Sequence, residues 1–201
     1  MMPTFNPSHF LSYCQSLYEA DSTYDSEQSN RLARHRHVEP DAAQFLANIA
    51  TIRQPKKVLE IGTSTGFSTL WLAYGLRHQA ECDFISLDID KNRSEAAHQH
   101  LQNMGLSASV RLIVQDALVF LNDNTDVFDL VFLDAERQFY LDYIEGLHKV
   151  LDVGSVLIVD NVISHRDEVS EFLAAFINNP RYLCHTLDIG AGLFMAVCQE
   201  P

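Results

Sequence analysis

The chain has 201 residues, 47% of them apolar and 20% charged, a balance typical of a folded domain with a full core rather than of a disordered or fibrous chain. Acidic residues outnumber basic ones 27 to 14, for a net charge of −13, which disfavours broad contact with nucleic acid or anionic lipid. Apolar runs are short and interrupted, so no membrane span is expected. The first residues (MMPTF) lack the basic-then-apolar pattern of a secretory signal. The four cysteines (14, 82, 184 and 198) include no CxxC pair. Reduced thiols in the cytoplasm are therefore expected, without a thiolate metal site.

Residues 6–20 read as a helix with Phe10, Tyr13, Cys14 and Leu17 on one face. Residues 21–30 (DSTYDSEQSN) are polar and unpatterned, and read as a loop or linker. Residues 31–37 (RLARHRH) form a basic run in an acidic protein. It reads either as a solvated turn or as a segment near an anionic ligand. Pro40 opens a helix with Ala43, Phe45, Leu46, Ile49 and Ile52 directed inward.

From Lys57 strands and helices alternate. Strands are expected at 58–61, 83–87, 110–114, 128–133 and 155–159, and helices at 67–76, 91–104, 140–151 and 169–178. Gly105 sits where a glycine ends a helix. Residues 182–189 and 193–198 flank Gly190-Ala-Gly192 and read as an antiparallel hairpin. Alternation of this kind implies an α/β fold with a parallel sheet and helices on both faces. Doubly apolar strands such as VLIV and LVFL agree with burial on both sides.

Ligands of open α/β sheets bind beyond the carboxyl ends of the strands. There the chain places the Gly62 to Gly66 loop, then Asp88, Gln115-Asp116-Ala117, Asp134 and Asp160-Asn161. Carboxylates at the rim of an apolar sheet need a partner. Each has an ordinary reading as a helix cap, Asp116 and Asp160 above all. Taken together they point to a ligand site. The glycine loop has Thr63 where a dinucleotide fingerprint wants its second glycine, and it lacks the lysine of a phosphate-binding loop. Asp88, 22 residues after Gly66, can accept both hydroxyls of a ribose. An adenosine ligand without a pyrophosphate fits this set. Asp134, Asp160 and Asn161 offer oxygen ligands of the kind that suit Mg²⁺, Mn²⁺ or Ca²⁺.

Residues 58–73 (VLEIGTSTGFSTLWLA), 128–135 (FDLVFLDA), 154–161 (GSVLIVDN) and the end of the chain (NPR at 179–181, IGAGL at 189–193) resemble, in order, the motifs of the cation-dependent S-adenosylmethionine O-methyltransferases. That group includes the catechol and caffeoyl-CoA enzymes and small bacterial members. The resemblance implies a class I methyltransferase Rossmann-like fold, with a seven-stranded, mostly parallel sheet closed by an antiparallel hairpin. It implies a donor-binding domain over 38–201, preceded by a helix and linker over 1–37 on the acceptor side. Glu60, Gly62, Thr63, Ser64 and Gly66 would shape the loop under the donor's methionine, and Ser68 would bind its carboxylate. Asp88 would hold the ribose, Asp116 and Ala117 would contact the adenine, and Val38 would touch the donor from the N-terminal side. Asp134, lying between donor and metal, would bind a divalent cation with Asp160 and Asn161. A homodimer is expected on the same ground.

The chain departs from the family where a lysine, the general base, follows the first metal aspartate by three residues. Here that residue is Arg137. Arginine keeps its proton, so Arg137 is read as an oxyanion stabiliser. Glu136 reads either as a candidate base or as a solvated helix-start residue, and Tyr140 packs or positions an acceptor. The acceptor is expected to be a small hydroxylated, catechol-like molecule. The alternatives are an RNA methyltransferase using Arg31, Arg34 and Arg36, a donor-binding protein without catalysis, and a nicotinamide-dependent reductase, which Thr63 disfavours.

Overall fold

A computed structural model describes residues 6–30 and 34–200. Arg31, part of the expected basic patch, lies outside the described residues. The chain begins with α1 (Pro7–Glu27), whose first turn is closed by Asn6 Oδ1 accepting from the Ser8 and His9 amides at 3.0 and 3.3 Å. The helix buries Phe10, Cys14 and Leu17. The Phe10 ring stacks on Tyr74 at 4.3 Å and meets the edge of Trp71 at 5.2 Å. The expected loop over 21–30 is a correction: α1 continues through Glu27. Its polar second half gains its partners from elsewhere in the chain. The Asp25 carboxylate accepts from the amides of His35 and Arg36 at 2.7 and 2.8 Å.

Helix α2 (Pro40–Arg53) carries Pro40 in its first turn. Ala43 and Leu46 are buried as expected, but Ile52 is 79% exposed, because it lies on the solvent side of the last turn. Then follow β1 (Lys57–Ile61), α3 (Phe67–Leu76), β2 (Asp83–Asp88), α4 (Lys91–Asn103) and β3 (Arg111–Val114). A short helix that the sequence pattern does not announce, α5 (Ala117–Asp123), comes next. The chain closes with β4 (Leu130–Leu133), α6 (Tyr140–Val150), β5 (Val156–Val159), α7 (Arg166–Ile177), β6 (Tyr182–Leu187) and β7 (Leu193–Cys198).

The seven strands form one sheet in the order β3-β2-β1-β4-β5-β7-β6. All neighbours are parallel except β5–β7 and β6–β7. This is the expected mostly parallel sheet with a C-terminal antiparallel hairpin, β7 being inserted between β5 and β6. Side chains alternate across it. Val58, Phe84, Phe132 and Ile158 face a core shared with α1, α2, α3 and α4. Leu59, Leu87, Leu133 and Val159 face a second core with α5, α6 and α7. Both layers leave the carboxyl ends of the parallel strands open along one edge. Among the described residues no helix is long and apolar enough to cross a membrane. Cys14 and Cys198 are buried and Cys82 and Cys184 partly so, all as free thiols.

Candidate active site

A cavity of about 520 Å³ opens at the carboxyl ends of β1, β2, β3 and β4, a size that suits a ligand of nucleoside scale. Its floor is the loop after β1. Gly62 has φ +108°, and a Cβ there would overlap the carbonyl oxygen of Asp134, so this position excludes every side chain. Gly66 has φ +91°, and its missing Cβ would stand 2.7 Å from that of Ala97 on α4. One glycine brings β1 against β4, and the other brings α3 against α4. The loop is folded back by the Gly62 and Thr63 amides, which donate to Leu87 O at 2.9 and 3.0 Å.

Asp88 ends β2 facing the cavity. The Ser64 amide donates to its Oδ2 at 2.7 Å and the Asp90 amide to its Oδ1 at 2.8 Å. Two backbone donors fix the carboxylate and leave lone pairs on both oxygens for a ligand. Asp116 and Ala117 also line the cavity. Asp116 caps α5 as well, accepting from the Val119 amide at 3.0 Å, so the cap and the lining position coincide. Asp160 caps no helix: α7 begins only at Arg166.

Asp134, Asp160 and Asn161 come together at the adjoining ends of β4 and β5. The Asn161 side chain donates to Asp134 Oδ1 at 3.1 Å and to Asp160 Oδ2 at 3.0 Å. Asn161 has φ +67°, a left-handed conformation that asparagine tolerates better than most residues. Asp160 is 1% exposed, and its Oδ1 is buried without a hydrogen-bond partner. Burial first, then the carboxylate of Asp134, pushes the Asp160 carboxyl well above the usual range. Asp134 is raised in the same way, against the lowering pull of Arg36 and Arg137. Two raised carboxyls, an amide and an orphaned oxygen are the chemistry of a divalent-cation site. Ligation through Asn161 requires the amide to present its oxygen.

The remaining expected donor residues lie behind the cavity wall. Val38 is buried. Glu60 is fully buried on the helix-α3 side of β1, where it accepts hydrogen bonds from Ser68, Thr69 and Ser86, each at 2.6 Å. Ser68 is thus engaged with Glu60. Thr63 shares a hydrogen at 2.5 Å with Ser86. Burial pushes the Glu60 carboxyl up to about 7, although three hydroxyls pull it down. Glu60, Thr63 and Ser68 therefore form one buried network under the loop.

The segment before α2 forms the far wall. Arg34, His35, Arg36 and His37 all line the cavity. Residues 34–37, the described part of the basic run, lie at the cavity. Arg34 donates to Gln28 O at 2.9 and 3.1 Å, and Arg36 pairs with Glu136. Arg137 is 8% exposed and donates from Nε to Glu168 Oε2 at 3.0 Å, while its Nη2 is buried without a hydrogen-bond partner. Tyr140 is buried, its hydroxyl accepting from the Ala135 amide at 3.3 Å. Arg93, Phe139, Tyr143 and His165 also line the cavity and carried no sequence signal as site residues.

The chain matches the family model described as O-methyltransferase over residues 19–195. It is 35% identical to the catechol O-methyltransferase of Mycobacterium tuberculosis over 149 residues, which cover 74% of this chain and 65% of that protein. It is 29% identical to the catechol O-methyltransferase of Niastella koreensis over 130 residues, covering 63% of this chain and 58% of that one. The chain thus spans less than two thirds of the length of these two relatives. A solved O-methyltransferase from Bacillus cereus in complex with SAH has the same fold, with a TM-score of 0.76 at 24% identity over 94% of this chain and 91% of that one.

Proposed function

The chain belongs to the O-methyltransferase family, and on that premise we propose that it transfers the methyl group of S-adenosylmethionine to a hydroxyl of a small, catechol-like acceptor, assisted by a divalent cation. The observation that carries this reading is the juxtaposition, along one cavity rim, of Asp88 with Asp134 and Asn161, Asn161 being bonded to the buried Asp160 beside it. Asp88, fixed by two amides, accepts from the vicinal hydroxyls of the donor's ribose. Asp116 and Ala117 stand beside the adenine. Gly62 and Ser64 form the floor beneath the methionine part.

Asp134, Asp160 and Asn161 hold the cation, Mg²⁺ in the first instance. When bound, it supplies the positive charge that keeps both carboxylates ionised and lowers the pKa of a hydroxyl at the site. The remaining work is positioning. Arg137, held by Glu168 and lining the cavity with an unpartnered Nη2, would stabilise the acceptor oxyanion. It does not accept the acceptor's proton, which Glu136, lining the same cavity, would take as the base. Phe139, Tyr143 and His165 line the same cavity and would contact the acceptor.

The test is calorimetric titration of S-adenosylmethionine and S-adenosylhomocysteine, with and without Mg²⁺, followed by turnover against a catechol panel. Wild type is expected to bind both donor forms and to turn over only with the cation. Asp134→Ala/Asp160→Ala is expected to lose at least about 100-fold in turnover, the scale of removing a preorganised electrostatic stabiliser. Donor binding with cation-independent turnover removes the chelation step. Absence of donor binding overturns the reading.

A further inference from the structure

A second group of ligating side chains lies behind the wall of the cavity, on the N-terminal side. Asp21 projects from α1, and His35 and His37 flank Arg36 on the segment before α2. One ligand-capable atom from each lies within 4.8 Å of the other two. Asp21 Oδ1 is 3.0 Å from His35 Nδ1, and Asp21 Oδ2 is 2.6 Å from His37 Nε2. The side chains of Asp21 and His37 are only 14% and 4% exposed.

Two features go beyond an ordinary aspartate–histidine pair. First, His35 Nδ1 is buried against the carboxylate yet makes no hydrogen bond. A buried ring nitrogen without an aligned partner calls for an explanation, and a bound ion is one. Second, Thr65 Oγ1 stands 2.9 Å from His37 Nε2 and 3.2 Å from Asp21 Oδ2, so a fourth oxygen is present on the same side. Two imidazole nitrogens and a carboxylate form a borderline donor set. That set suits Zn²⁺ or Co²⁺, whereas the all-oxygen set at Asp134 suits Mg²⁺.

We propose that Asp21, His35 and His37 form a second metal site, of the Zn²⁺ class, with the Thr65 hydroxyl or a water in the remaining position. The site cross-links α1, the segment before α2 and the glycine loop. Ser64 Oγ already donates to His35 O at 2.8 Å, so a metal here would stiffen the cavity wall at the place where His35 faces the ligand. The inference does not depend on the chain methylating anything.

The experiment is equilibrium dialysis of the full chain against Zn²⁺, with metal analysis, in the Asp134→Ala/Asp160→Ala background and, separately, in wild type with Mg²⁺ in excess. Co²⁺ replacement gives a visible spectrum for the same site. The expected result is one Zn²⁺ per chain in both settings, intense Co²⁺ bands of low coordination number, and a rise in unfolding temperature with Zn²⁺. Adding Asp21→Asn or His37→Gln is expected to abolish all three. Circular dichroism verifies folding, and His35→Gln replaces any variant that fails it. Zn²⁺ that is not retained, or is retained equally by the folded variants, overturns the site and leaves an aspartate–histidine ion pair.

Discussion

Glu60 is fully buried and accepts hydrogen bonds from three hydroxyls. Its carboxyl is raised from 4.5 to about 7 by burial. A raised acid means that the folded state holds a proton which the unfolded state has released, between the ordinary carboxylate range and about pH 7. The contribution is therefore favourable at low pH, declines as pH rises through that window, and is level above it. Glu60→Gln removes the titration. Urea unfolding from pH 5 to pH 7 is expected to lose one proton's worth of slope relative to wild type, about 1.4 kcal/mol per pH unit. An unchanged slope would assign the proton to another group. The carboxylates at strand ends were legible because a strand that terminates in Asp leaves little doubt where the residue stands. Asp88, Asp134 and Asn161 reach the cavity on that logic. Glu60 and Ser68 were harder. Their destination depends on which face of β1 and α3 they occupy, and a five-residue strand with four consecutive buried positions gives no polar alternation from which to read the face.

At the scale of elements, α1 shows how a helix can be invisible in half its length. Phe10, Cys14 and Leu17 mark the first half by their spacing. The second half has no apolar stripe, and its support comes from residues ten or more positions later, through Asp25 and the amides of His35 and Arg36. Helix α5 has seven residues, too few for a 3.6-residue period to stand out. Of the five parallel strands, β1, β2, β4 and β5 were readable because burial on both faces leaves short, strongly apolar runs, while β3, at the sheet edge, is only partly buried. Helix α1 is anchored to α3 by the Phe10 ring. Phe10→Ala removes the ring stacked on Tyr74, a truncation of a class that costs about 3–5 kcal/mol in a core. Hydrogen exchange is expected to report loss of protection along α1 with the central strands unchanged. Equal loss in β1 and β4 would mean that the helix and sheet open as one unit.

At the scale of the whole molecule, charge and fold agree on what the basic run does. With −13 overall, a nucleic-acid surface would need a local positive patch. Arg34 and Arg36 are instead bonded to Gln28 O and Glu136 at the cavity wall. A fluorescently labelled tRNA is therefore expected to show no anisotropy change with this protein at about 0.15 M salt, where electrostatic binding is already screened. A saturable change with a steep salt slope would restore the RNA reading.

The position of β7 between β5 and β6 bears on how the chain is made. Synthesis proceeds from the N-terminus at about 5–20 residues per second, and β7 (Leu193–Cys198) emerges last of the strands. Until it does, β5 has one open side, and VLIV, buried on both faces in the finished sheet, is an apolar edge of the kind that pairs with foreign strands. β6 at that stage has no neighbour to bond. The nascent chain thus passes through a stage in which the end of β5 that carries Asp160 is exposed and prone to self-association. The final six-residue strand ends that stage by inserting into the sheet as a wedge.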